Sequence, residues 1–495
     1  MYFFKEIASF IRAHHIYQGQ ALGYKKRKHT QSQKLYERIL EEENFESDED
    51  IALAMYGTFD WKYRDLKRRF LNNLITSVLM IEFDGQRMPK YNRKYYSLLR
   101  ELTVAKILLG KTLHQSAIFF TKRCYKKAKQ YAFYDILEET TRILRNHYGR
   151  RIFREADFLN YSNELVQIRK VIELEDKADS YYSHILITHR KNRPQLHEST
   201  DLAMKYFEEL STDIATCPSL KFQVSSRLIR LFISASKSDF ITMYSHVNDD
   251  IAYFREHQLD RGNALYIFLG QKTLVCVRLG KYGEGLDSIL LASSIVDETN
   301  VNWFPTKYNE FFIYMQSGRY QEAQDLYLKI TNHRRYKNLV PNMKEDWIVG
   351  GAYLNYLIEK GELEAHSKFK FRVGKFVNSV PEYSKDRRVK NVPILIAQII
   401  FMIYRRQTSK VIDRMDAIKQ YCGRNLRYNE AVRSNSFIMA LMEIPKRSFN
   451  RIAVERHIGR YRKRLEEVPI HLSGKNFDLE IIPYERLLKY VLEDL

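Results

Sequence analysis

Arg456, Arg460 and Arg464 recur every four residues, a spacing that stacks three guanidinium groups along one face of a helix. Arg451, Arg462 and Lys463 stand close by, so this segment could follow a phosphate backbone or meet an acidic protein surface. Arg451 is also followed, after five residues, by His457. That pair would combine a phosphate-holding cation with an acid/base group. Further basic clusters fall where inferred elements end: 25–28, 189–193, 334–337 (Arg334, Arg335, Lys337) and 387–390. Cations there complement helix C-terminal dipoles, and they would form an anion-binding surface only if the fold gathers them. Tyr353 and Tyr356 are candidates to line a partner groove, since exposed aromatic faces stack on peptides or bases.

Other chemistry has little support. The chain has no Gly-x-x-x-x-Gly-Lys-Ser/Thr loop, Gly-x-Gly-x-x-Gly turn, His-Glu-x-x-His helix or Gly-x-Ser-x-Gly elbow. Adjacent carboxylates such as Asp249–Asp250 and Glu466–Glu467 point to different faces of a helix and read as surface charge. The four cysteines, 124, 217, 276 and 422, form no Cys-x-x-Cys pair. No metal or cofactor is expected, and a reducing cytoplasm suits such thiols. A net charge of +21 makes an anionic partner plausible on physical grounds without selecting one.

The elements that would carry these residues are helices. At 495 residues the chain exceeds what one core usually serves, while Gly (19) and Pro (10) are too scarce to punctuate many strands. Residues 60–82 set Leu66, Phe70, Leu74 and Val78 on one stripe, which predicts an amphipathic helix. The N-terminus, interrupted by Lys5 and Glu6, reads as a helix rather than a signal peptide. The apolar run 393–404 is too short to span a bilayer. Breaks near 42–50, 190–200 and 445 suggest four segments: an N-terminal helical segment 1–59, a helical domain 60–195, a repeat array 196–445 and a basic helix with a cap, 446–495.

Within 196–445 a pattern recurs. Gly280, Tyr282 and Gly285, then Gly318, Tyr320 and Ala323, place an aromatic two residues and a small residue five residues after a glycine. Weaker copies at 238, 361 and 407 give hairpin tips spaced by 38 to 46 residues, and Gly110 could close another hairpin upstream. The pattern resembles the turn and second helix of the tetratricopeptide repeat. Leu269, Cys276, Ile289, Ala292, Tyr314 and Tyr327 fall at that family's packing positions. Lys272 and Phe311 stand where it has an aliphatic and a small residue, and the spacing exceeds its repeat of about 34 residues.

The segments 371–376, 384–386, 451–456 and 480–485 are similar to those of a large group of bacterial helical proteins with no activity attached. The Arg451–His457 spacing resembles the short signature of helical HEPN-type ribonucleases, with Ile452 in place of their polar residue. The main resemblance implies an all-α chain, an α-solenoid of degenerate tetratricopeptide-like hairpins with an additional helical N-terminal region. Its expected function is a non-catalytic scaffold that binds a protein or peptide partner. RNA or DNA binding by the basic residues is the alternative.

Overall fold

Where a helix must stop and turn back, the last carbonyls need donors, and one left-handed residue supplies the geometry. Five such closures occur, four at the expected tips and the fifth one residue before the tip expected at 407. Gly280, Gly318 and Gly361 have φ of 70°, 80° and 84°, and Ser238 and Arg406 reach 55° and 52° without a glycine's freedom. After each, a backbone N–H reaches the carbonyl five residues back: Asp239 to Ser234, Lys281 to Cys276, Arg319 to Tyr314, Glu362 to Leu357 and Gln407 to Met402, at 2.8 to 3.0 Å. Gly110, by contrast, is the last residue of its helix. The left-handed residue there is Thr112 (φ 62°), and Leu113 N–H meets Leu108 O at 2.9 Å. The tip therefore lies two residues later, which puts the buried Ala117 at the usual five-residue offset.

The computed structural model describes residues 2–13, 30–41, 47–81, 90–191, 196–257, 263–296, 302–378, 388–407, 432–468 and 480–495, together with 298, 300, 409, 411 and 412. Among them the regular structure is entirely helical. No helix among them is long and apolar enough to cross a membrane. Two compact units form, residues 1–88 with 93–117 and residues 89–92 with 118–495.

The first unit contains α1 (Tyr2–Ala13), α2 (Gln31–Glu41), α3 (Asp48–Tyr56), α4 (Trp61–Leu79) and most of α5 (Lys90–Gly110). The Asp60 carboxylate caps α4, accepting from Lys62 N–H at 2.9 Å and Tyr63 N–H at 3.3 Å. The predicted stripe then buries Leu66, Phe70 and Leu74 against Phe4, Ala8 and Tyr36.

The second unit begins in α6 (His114–Tyr131) and continues through α7 (Tyr134–His147), a π-helical turn (Tyr148–Ile152) and the 37-residue α8 (Glu155–Lys191). Then follow α9 (Leu196–Ile214), α10 (Leu220–Ser236), α11 (Phe240–Glu256), α12 (Asn263–Arg278), α13 (Tyr282–Ile295), α14 (Trp303–Ser317), α15 (Tyr320–Thr331) and α16 (Pro341–Lys360). From α7 to α16 each helix packs on the next in chain order. Close approach is visible at Gly285, where an added Cβ would sit 3.2 Å from Ile313 and 3.3 Å from Cys276. Phe311, too large for the family pattern, finds its room at Gly350, whose missing Cβ would lie 2.7 Å from the ring.

The chain ends with α17 (Val373–Asn378), α18 (Arg388–Tyr404), α19 (Val432–Lys446), α20 (Arg451–Glu467) and α21 (Tyr484–Glu493). Here the structure departs from the expected segments. One core runs from Trp303 and Trp347 through Ile400 and Leu441 to Ile458 and Leu488, so 446–495 completes the preceding core instead of standing apart as a cap. Likewise α9 packs on α8 across the expected boundary at 195.

Candidate functional site

Asn450 starts α20 by accepting the Ala453 N–H on its side-chain oxygen at 3.0 Å. Val454, Ile458, Tyr461 and Leu465 then form the buried stripe that pins the helix to α19 and α21. This stripe fixes which residues face outward. Arg451, Arg456, Arg460, Arg462, Lys463 and Arg464 are all exposed. Glu455 holds Arg451 at 3.1 Å and Glu467 holds Lys463 at 3.6 Å. Arg460 donates to the Tyr461 hydroxyl at 2.6 Å. Among the described residues Arg456, Arg462 and Arg464 have no carboxylate partner. Exposed Ile452 adds an apolar contact at the start of the same helix.

Such a face offers cations about 6 Å apart along the axis on a rigid support. It can attract a polyanion and make charge-assisted hydrogen bonds to carboxylate or phosphate. Arg451 is held by Glu455, and the His457 ring nitrogen Nδ1 bonds the Ala453 carbonyl of its own helix at 2.7 Å.

The 333–337 segment has a different setting. His333 lies against Trp303 and Phe304 with Nε2 3.1 Å from Glu298. Arg335 donates to the Glu298 carbonyl, while Arg334 and Lys337 are exposed. Part of this cluster therefore ties down the turn after α15. The residues 25–28 and 193 and 387 lie outside the described residues, as do the side chains of 190, 191, 388 and 390.

Tyr353 and Tyr356 are corrected outright: both are buried, at 2% and 1% exposure. The Tyr353 hydroxyl donates to Pro393 O at 3.1 Å and that of Tyr356 to Asp494 Oδ2 at 2.6 Å. Burial drives both hydroxyl pKa values far up, so they are neutral core donors and not groove residues. Asp250 is a second correction. Far from being surface charge, it is fully buried, with Oδ1 taking both Arg227 (2.7 Å) and Arg230.

Sequence reasoning missed Arg433 altogether. This buried arginine of α19 grips Glu480 with Nε at 2.6 Å and Nη2 at 3.0 Å, and also bonds Glu485 and the carbonyls of Leu465 and Val468. Burial opposes its charge, but the two glutamates outweigh that and hold its proton more tightly than usual. The signal was Glu480 and Glu485 bracketing the run Ile481–Tyr484, and it could not be read without the partner.

Among the described residues no group of three or more His, Cys, Asp or Glu side chains is placed to hold a metal ion. No protein-family model, no curated protein and no solved structure matches this chain.

Proposed function

We propose that the protein is a non-catalytic scaffold of degenerate tetratricopeptide-like hairpins, an α-solenoid working in the cytoplasm, that holds a protein partner with an acidic face. The observation that carries this reading is the outward side of α20, where Arg456, Arg460 and Arg464 form one exposed stripe on a helix pinned by four buried residues. A scaffold of this kind needs no catalytic group, because extended helical surfaces bind by shape and charge.

Fluorescence anisotropy with a labelled oligoglutamate peptide tests it. The Arg456→Glu/Arg464→Glu variant is expected to bind about tenfold more weakly at low salt, since two attractive contacts become repulsive. Unchanged affinity overturns the reading. The arginine spacing favours one alternative, phosphate contacts to RNA or DNA. A duplex oligonucleotide bound much more tightly than the peptide, with the same dependence on Arg456 and Arg464, would put that alternative in its place.

A further inference from the structure

A π-helical turn is rarely adopted without a local reason, and such turns gather at functional sites. Here Tyr148–Ile152 joins α7 to α8, and Phe153 follows in a left-handed conformation at φ 54°. Arg154 N–H closes the turn on Tyr148 O at 3.0 Å. Gly149 lets the Phe158 ring come in where a Cβ would lie 2.7 Å from it. The result is an open cleft of about 520 Å³ in which Arg145, Arg150, Arg154, Asn146 and a single carboxylate, Glu155, surround Phe153 and Phe158.

Phe153 is 80% exposed, although its backbone is already in a conformation unfavourable for a bulky residue. Arg150 and Arg151 are exposed beside it and have no carboxylate partner among the described residues. Lys122 of α6, also exposed, lies 5.6 Å from the centre of the Tyr148 ring, which stacks on Tyr161. Phe119, 62% exposed, and Lys126 are on the Lys122 side of α6 by helical spacing. Cations thus surround aromatic faces that no protein side chain covers fully.

We propose that this tip binds single-stranded nucleic acid, with a base stacked on Phe153 in the cleft and neighbouring phosphates paired to Arg150, Arg151 and Lys122. Charge complementarity selects a polyanion, and the open ring selects one with accessible flat faces, which a duplex hides in its stack. An anionic membrane fits less well, because a membrane-inserting edge is convex and apolar, whereas Phe153 and Phe158 line a concavity with Asn146 and three arginines. The inference is independent of the α20 face.

The test titrates the full-length chain into a fluorescein-labelled oligouridine of about 12 nucleotides, at salt from about 50 to 200 mM. Phe153→Ala is expected to weaken binding about tenfold and Phe153→Trp to preserve it, with circular dichroism unchanged in both. Arg150→Ala/Arg151→Ala should also flatten the slope of log affinity against log salt by about 1.4, two phosphate contacts' worth for a single strand. The Arg456→Glu/Arg464→Glu variant should bind the oligouridine as the parent does. The proposal is overturned by any of three results: no binding at about 50 mM salt, affinity indifferent to residues 150, 151 and 153, or Phe153-dependent binding to phosphatidylglycerol vesicles with none to oligouridine.

Discussion

A non-glycine residue in left-handed backbone carries a cost of about 1–2 kcal/mol, and this chain accepts it at Ser238 and Arg406 to close helices. Replacing either by glycine relieves that strain but loosens the unfolded chain, so Ser238→Gly and Arg406→Gly should each raise stability by about 0.5–1 kcal/mol in urea unfolding. The reverse change at Gly318 should cost about 1–2 kcal/mol by the same measurement. There φ is 80° and a Cβ would lie 2.7 Å from Arg486 Nη1, itself bonded to the Tyr320 hydroxyl at 3.1 Å. Thiol chemistry gives a second check at this scale. Cys124, Cys217 and Cys276 are buried thiols outside any disulfide, and burial pushes the Cys276 thiol up to about 11. Because the thiolate is the nucleophile, the native protein should show at most one reactive thiol to an aromatic disulfide reagent at about pH 8, and all four after denaturation.

At the scale of one element, the end of α19 holds a buried carboxylate against cations of the same helix and the turn that follows it. Glu443 is 4% exposed, 2.9 Å from Lys446 and 3.6 Å from Arg447. Burial pushes its pKa up, but Lys446, Arg447 and Arg460 prevail and hold it below the ordinary 4.5. A depressed folded pKa stabilises fully above the unfolded value and is lost as pH falls through the folded one. Glu443→Gln should therefore melt below the parent at pH 7, and the gap between the two thermal curves should narrow once the pH drops under 4.5. If the gap were constant with pH, the carboxylate charge would not be what stabilises the end of α19. Ile458→Ala, which removes part of the buried stripe, should cost about 2–5 kcal/mol, whereas Arg456→Ala should stay within about 0.5 kcal/mol. That contrast keeps the α20 arginines usable as binding probes.

Across the second unit, Arg433 links parts of the chain far apart in sequence. It joins α19 to the end of α20 and to the entry of α21, and Gln316 of α14 donates to the Glu480 carbonyl beside it. Arg433→Ala leaves a buried carboxylate unpaired and should cost about 3–5 kcal/mol in urea unfolding. A loss below about 1 kcal/mol would show that water had replaced the arginine.

What the amino-acid sequence alone determined is local. The helical class, the α4 stripe and the tips expected at 238, 280, 318, 361 and 407, the last of them falling at 406, depend on interactions within about one turn, in which the residue after a left-handed one donates to the carbonyl five positions back. Gly110 misled only because glycine was not needed two residues later, at Thr112. The outward arginines of α20 were legible for the same reason, since a four-residue spacing defines a face once the buried stripe is set. Tertiary structure alone decided that Tyr353 and Tyr356 are core, that Asp250 is buried between two arginines, and that Arg433 meets Glu480 across 47 positions. It also shaped the cleft around Phe153, where a π turn brings arginines and rings together with no periodic signature. Pairings of that kind depend on which helices become neighbours, and the whole packed chain sets that neighbourhood.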